Sequence, residues 1–185
     1  MVRIAIIIPY ASMASLAQEV FQEHTARMRL QRRDSTEYSL EIVVAATTQE
    51  LQIPDCDAMI VRGATYLDLC QNARSVPVIE LIINGTDIVN MLLQLRQKYC
   101  SVPAAILGTQ NKILGVEKLA RQLNVDVTSY CFPENSVSEI RKCVEQAARD
   151  GKKVIIGGGT GCRLAEEMGL PSMLISSGRE AFWNA

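Results

Sequence analysis

Apolar residues along this chain fall into short unbroken runs, and most runs are separated by helical stripes. The runs lie near residues 3–8, 40–45, 58–61, 77–82, 103–107, 125–130, 153–156 and 172–175. A strand buried on both faces reads as such a run rather than as an alternation, so these are expected strands of parallel sheets. Between them, apolar positions recur at helical spacing. Met13, Leu16, Ala17, Val20, Phe21 and His24 make one stripe, and Ile88, Met91, Leu92 and Leu95 a second. Val116, Leu119, Ala120 and Leu123 make a third, and Ile140, Val144, Ala147 and Ala148 a fourth. Gly151 after Asp150 reads as a helix C-cap, and a helix start is expected at Glu134-Asn135-Ser136, just after Pro133. Strand–helix alternation predicts an α/β fold with parallel sheets and helices on both faces.

The pattern then repeats. IVRGATYLDLCQNARSVPVIELIINGTDI from Ile60 returns from Ile155 as IIGGGTGCRLAEEMGLPSMLISSGREAF. Each copy reads apolar strand, Gly-Thr turn, helix, proline, apolar run and polar-glycine turn. Thr65 matches Thr160 and Gly85 matches Gly178, about 95 and about 93 residues apart. A strand and helix precede each copy. The expected architecture is therefore two Rossmann-like (flavodoxin-like) lobes related by duplication, with a cleft between them. Lobe one would hold 1–83 plus 177–185. Lobe two would hold 84–176, entered by a crossover helix over 84–99. Such a cleft is a common way to hold a small molecule.

Composition narrows the function without naming it. The 185 residues are 48% hydrophobic with a net charge of −1, so a real core is affordable and no surface for nucleic acid or anionic membrane is implied. Arg27, Arg29, Arg32 and Arg33 read as a solvated helix C-terminus. The six cysteines form no C-x-x-C pair and several sit in apolar patterns, which suggests buried free thiols in a reducing cytoplasm. One histidine and no ligand-spaced cluster argue against a metal site. The run Ile4–Ile8 is short and is ended by Pro9, so it reads as a first strand and not as a leader peptide. No segment is long and apolar enough for a membrane span. Phe182-Trp183-Asn184-Ala185 reads as the inside of a starting helix, as in a piece of a longer protein.

Chemistry is expected beyond the carboxyl ends of the strands, where open parallel sheets bind ligands. The turns there are Pro9-Tyr10-Ala11-Ser12, Arg62-Gly63-Ala64-Thr65, Asn84-Gly85-Thr86-Asp87, Gly108-Thr109-Gln110, Gly157-Gly158-Gly159-Thr160-Gly161 and Ser176-Ser177-Gly178. Small residues, hydroxyls and helix N-termini suit a carboxylate or phosphate. The candidate ligand-binding set is Tyr10, Ser12, Arg62, Gly63, Ala64, Thr65, Asn84, Gly158, Gly159, Thr160, Gly161 and Ser177. Arg62 at a strand end either grips a ligand carboxylate or forms a salt bridge with Asp87 or Glu80. The glycine run lacks both the Walker and the dinucleotide spacing, which leaves a tight turn or a small-anion site. Cys162 at a helix start could have a lowered pKa, as in cofactor-independent amino-acid racemases of duplicated α/β form. The matching position in the other copy is Leu67, with Cys70 one turn deeper. An acid/base thiol pair is therefore missing, and a structural cysteine is the better reading. A racemase-like or isomerase-like enzyme is kept as the alternative. His24 has no catalytic partner in view and reads as a packing residue. No catalytic residue, metal or cofactor is assigned.

The order of CDAMIVRGAT, SVPVIELIINGTDIV and KKVIIGGGTGCRLAEEMGLPSMLISSGREAF resembles the N-terminal receptor domain of propionate-catabolism activators. These are sigma-54-dependent regulators of the enhancer-binding class. The resemblance covers nearly the whole chain. It rests on Arg62-Gly63 with Thr65, Pro77-Val78, Gly85 with Asp87, Ala165-Glu166, Gly169-Leu170, and Ser177-Gly178 with Glu180. It implies a bacterial, cytoplasmic sensor of a small organic acid or other anionic metabolite, of which a methylcitrate-like tricarboxylate is the type. In a full-length protein a central ATPase and a helix-turn-helix module would follow, engaging sigma-54 RNA polymerase and DNA. A homodimer is plausible for the class. The family pattern often has glycine at Ala64 and a small residue at Tyr66, so the resemblance does not fix the effector.

Overall fold

A computed structural model describes residues 1–31, 36–45, 51–71, 76–109, 113, 115–133 and 136–185. Arg32, Arg33, Gln110, Glu134 and Asn135, named above, lie outside the described residues. The chain divides into two compact units. One comprises Met1–Asn84 with Ser177–Ala185, and the other Gly85–Ser176.

In the first unit, β1 (Val2–Ile8) leads through a 3-10 turn (Ala11–Met13) into α1 (Ala14–Leu30). Then come β2 (Tyr38–Val44), β3 (Ala58–Val61), α2 (Ala64–Gln71) and β4 (Val78–Glu80). All pairings are parallel, in the order β2-β1-β3-β4. The apolar run of β1 has two separate uses. Ile6 and Ile8 pack with Met13, Ala17 and Val20 of the first turn and α1, and with Leu81, Ala181 and Phe182. Ala5 and Ile7 point the other way, toward Met59, Val61 and Leu69. Successive side chains leave a strand on opposite faces, and both faces of β1 are covered over its second half, so no polar position interrupts Ile4–Ile8.

The second unit starts with α3 (Gly85–Tyr99) and continues through β5 (Ala104–Gly108), α4 (Val116–Gln122), β6 (Val127–Cys131) and α5 (Val137–Arg149). It closes with β7 (Val154–Gly157), α6 (Gly159–Glu167) and β8 (Ser172–Leu174). Its parallel order, β6-β5-β7-β8, is the same topology as in the first unit. One core layer joins Ala105 and Leu107 of β5 to Ile140, Val144 and Ala147 of α5, and to Leu164 and Ala165 of α6. α5 is delimited at both ends by its sequence. The Ser136 side chain accepts a hydrogen bond from the Glu139 N–H at 3.3 Å, and Gly151 turns the chain at φ +76° just past the C-cap. The last helix, α7 (Arg179–Asn184), returns to the first unit.

All eight expected runs are strands, but they are not equally buried. No residue of β2 or β4 is buried, because each is a sheet edge with one neighbour. The expectation of buried thiols also needs correction. All six cysteines are free, yet only Cys56 and Cys162 are buried, while Cys70, Cys100 and Cys131 are exposed. Apolar neighbours in sequence do not decide which way a side chain points on a helix or at a strand end.

Candidate functional site

In both units the strand order reverses direction next to the first strand. From β1 the chain goes to β2 on one side, then to β3 on the other; β5, β6 and β7 repeat the move. The crevice beyond the carboxyl ends at such a switch point is where open α/β sheets bind ligands. It falls between β1 and β3 in one unit and between β5 and β7 in the other.

The first of these carries the turn after β1 and the turn after β3. Tyr10 is half-buried and Ser12 exposed, the latter on the 3-10 turn. Arg62 is half-buried just beyond β3. Its Nη1 approaches the Met13 sulfur at 3.8 Å, which joins the two turns directly. Gly63 follows at φ +67°, a left-handed conformation that needs glycine here, and the turn lets α2 begin at Ala64. Thr65 is buried in the first turn of α2. Asn84 lies one strand further out, half-buried at the start of α3. Ser177 is only 3% exposed, and among the described residues its Oγ has no hydrogen-bond partner. A buried hydroxyl normally has one, so this atom calls for a partner that the described residues do not supply. Met13 is the residue that sequence reasoning missed at this site. It was counted in the helical stripe, and its place on a turn at a strand end was the available signal.

The second switch point carries the glycine run, and its glycines do different things. Gly157 is buried; a Cβ there would stand 3.4 Å from the Leu107 Cβ. Gly161 is also buried, and its Cβ would come within 3.1 Å of the Leu107 Cδ1. Those two glycines let β7 and α6 close on β5. Gly158 is exposed, with nothing within 4 Å of a Cβ, so packing does not require glycine there. Gly159 opens α6, and Thr160 is half-buried in its first turn. The run is thus a tight turn at its ends, with open backbone between them.

Cys162 does not have the lowered pKa considered for a helix start. Burial pushes its thiol up, and its Sγ donates a long hydrogen bond of 3.8 Å to the Gly157 carbonyl. A thiol held in its protonated form is the wrong starting state for a thiolate base. His24 is exposed on α1 and meets the edge of Trp183, 5.1 Å between ring centroids, which is a packing contact.

Two surface depressions of about 510 and about 500 Å³ lie in the second unit. One is lined by Ser101, Arg121 and Asp126 among others, at the amino ends of β5 and β6; the other lies between α3 and β8. No residue of the candidate set lines either. Among the described residues, no group of three His, Cys, Asp or Glu could hold a metal ion, and no helix is long and apolar enough to cross a membrane.

Among solved structures, the chain is similar to an NtrC family transcriptional regulator from Clostridium acetobutylicum, at 20% identity and a TM-score of 0.75. The match covers 100% of this chain and 92% of that one, and it shows a shared fold. Looser likenesses include a ligand-free, open substrate-binding protein from Clostridium difficile (8% identity, TM-score 0.40, 94% and 74% covered). Another is an ABC-transporter solute-binding protein from R. palustris in complex with benzoate (14%, 0.39, 94% and 61%). No curated protein matches the sequence. The family model described as propionate catabolism activator matches residues 34–185, so the chain belongs to that family, as a regulatory sensing domain of a transcriptional activator.

Proposed function

We propose that the domain senses a small organic acid and passes the signal to a downstream ATPase and DNA-binding module that works with sigma-54 RNA polymerase. The effector is anionic, and each switch point offers contacts suited to it. Arg62 grips a carboxylate, and the Gly63–Thr65 backbone and the open Gly158–Gly159 backbone donate N–H groups. Tyr10, Ser12, Asn84, Thr160 and Ser177 supply further polar contacts. Gly161 belongs to the packing of the same turn. The observation that carries this reading is the buried Ser177 Oγ without a partner, together with Arg62 at the end of β3. A site built this way binds and orients; it offers no activated nucleophile or base, so the domain acts as a non-enzymatic sensor in the cytoplasm.

The chain passes between the units twice, at Asn84–Gly85 and at Ser176–Ser177. Both passages adjoin candidate ligand residues, Asn84 and Ser177. In this reading a hinge-like change at these passages is the signal. Ligand shifts that balance only by its differential affinity for the two states.

A thermal-shift panel tests the reading, with citrate, methylcitrate, smaller di- and monocarboxylates, phosphate and amino acids as probes. A ligand at 100-fold its dissociation constant adds about 2.7 kcal/mol, a rise of roughly 5–10 °C for a chain of this size. The expected result is a carboxylate that stabilises the wild type and loses its effect in Arg62→Ala and Ser177→Ala. No shift with any carboxylate would end the organic-acid reading.

A further inference from the structure

α7 is fixed to the outside of α1 by two kinds of contact. Arg179 sits between two carboxylates of α1. Its Nη1 lies 2.7 Å from Glu19 Oε1, and its Nη2 pairs with Glu23. One turn on, Trp183 packs T-shaped against His24, and the Arg27 guanidinium lies 5.7 Å from its ring centroid. Glu19, Glu23, His24 and Arg27 occupy neighbouring turns of one helix, so the clasp is a continuous strip along α1. Beneath it, Ala181 and Phe182 are buried in the core beside Met13, Ala17 and Val20, with Trp183 packed against the same cluster.

Two properties set this attachment apart from the rest of the unit. Its ion pairs are solvent-exposed, with side-chain exposures of 44% for Arg179 and 65% and 53% for the two glutamates, so salt weakens them. It also begins two residues after Ser177, where the chain re-enters the first unit.

We propose that α7 is a releasable latch. Docked, it is folded against α1 by the Arg179–Glu19/Glu23 pairs and the Trp183–His24/Arg27 stack; released, it is unfolded, with both sheets intact. Use of the latch as the output of an effector rests on the sensor function proposed above. The latch itself does not, and it is tested here without any ligand.

Trp183 is the only tryptophan in the sequence, so its emission reports the state of α7 directly. Hydrogen exchange of residues 180–184 gives the backbone view. Arg179→Glu is expected to shift the emission to the red and to speed exchange of 180–184 by about tenfold or more, with β1 and β3 protected as before. Adding Glu19→Lys and Glu23→Lys to Arg179→Glu restores both readouts. Wild-type protein in about 0.5 M salt should move in the same direction as Arg179→Glu, without any substitution. Unchanged protection of 180–184 in Arg179→Glu, Trp183→Ala and salt alike would overturn the latch. So would loss of protection in β1 and β3 in step with α7, because the helix could then leave only with the sheet.

Discussion

The two switch points occupy the same place in the duplicated topology, yet they are built from different chemistry. In the first unit the residue just past β3 is Arg62, followed by left-handed Gly63. The corresponding pair in the second unit is Gly157, buried against Leu107, and Gly158, in ordinary extended backbone at φ −75°. One copy has put a cation at the strand end; the other has given up the side chain to pack the helix closely. Duplication kept the strand order and the turn position, which the sheet core enforces. The side chains of the turn differ between the two units, and so does the way each turn packs.

The comparison breaks first at the cores. Leu164 is fully buried in the second unit, between β5 and α5. Leu164→Ala should cost about 2–5 kcal/mol, read from denaturant unfolding with a tyrosine or circular-dichroism signal. Trp183 reports the first unit. If its transition stays in place while the other signal moves, the units unfold separately; if both move together, they form one cooperative body. A smaller effect separates the two turns. Gly63→Ala forces a Cβ into the left-handed region and should destabilise by about 1–2 kcal/mol. Gly158→Ala meets open space at a permitted φ and should be neutral or slightly stabilising. Equal costs in a pair of thermal melts would refute the difference in backbone described above.

The smallest effects are in pH, and they have opposite signs in the two units. In the first, the Arg3 backbone N–H donates to Asp57 at 2.8 Å, and that bond, then the Arg3 guanidinium, hold the Asp57 carboxyl below its ordinary value. Its stabilisation is present above the unfolded carboxylate pKa and is lost as pH falls through the lowered value. In the second, burial and then the 2.7 Å hydrogen bond to Asp150 push the Tyr130 hydroxyl up to about 12. A raised pKa works the other way: the stabilisation is complete below the unfolded tyrosine value and is lost as pH rises through about 12. Asp57→Asn should therefore flatten only the acid limb of a plot of Tm against pH, and Tyr130→Phe only the alkaline limb.

Much of this was legible in the sequence because parallel strands buried on both faces leave a direct trace. The eight runs, the repeat from Ile60 and Ile155, and the C-cap at Gly151 all follow from short-range rules. Burial at the edges did not follow, since Leu40 and Ile42 look like Ile6 and Ile8 until the neighbour of β2 is known. The exposed Cys70, Cys100 and Cys131 differ from expectation because Cys70 lies on the open face of α2, Cys100 in the turn after α3 and Cys131 at the end of the edge strand β6. Arg62 stood out as a charge at a strand end. Its contact with Met13, 49 residues away, depends on β1 lying beside β3, which no local pattern states. The open Gly158 and the packed Gly157 and Gly161 are identical letters in the sequence, and only Leu107 tells them apart.

The division of the chain also has a consequence for how the protein is made. The second unit is a continuous stretch, Gly85–Ser176, whereas the first needs both ends of the chain. Ala181 and Phe182, which complete the layer over Ile6 and Ile8, leave the ribosome only after the whole of the second unit. The inner unit can therefore finish folding during translation, while the outer one waits with part of its apolar surface uncovered until synthesis has passed residue 182. A nascent chain stalled before α7 would expose that patch, and chaperones should favour it over a chain that has been made past α7.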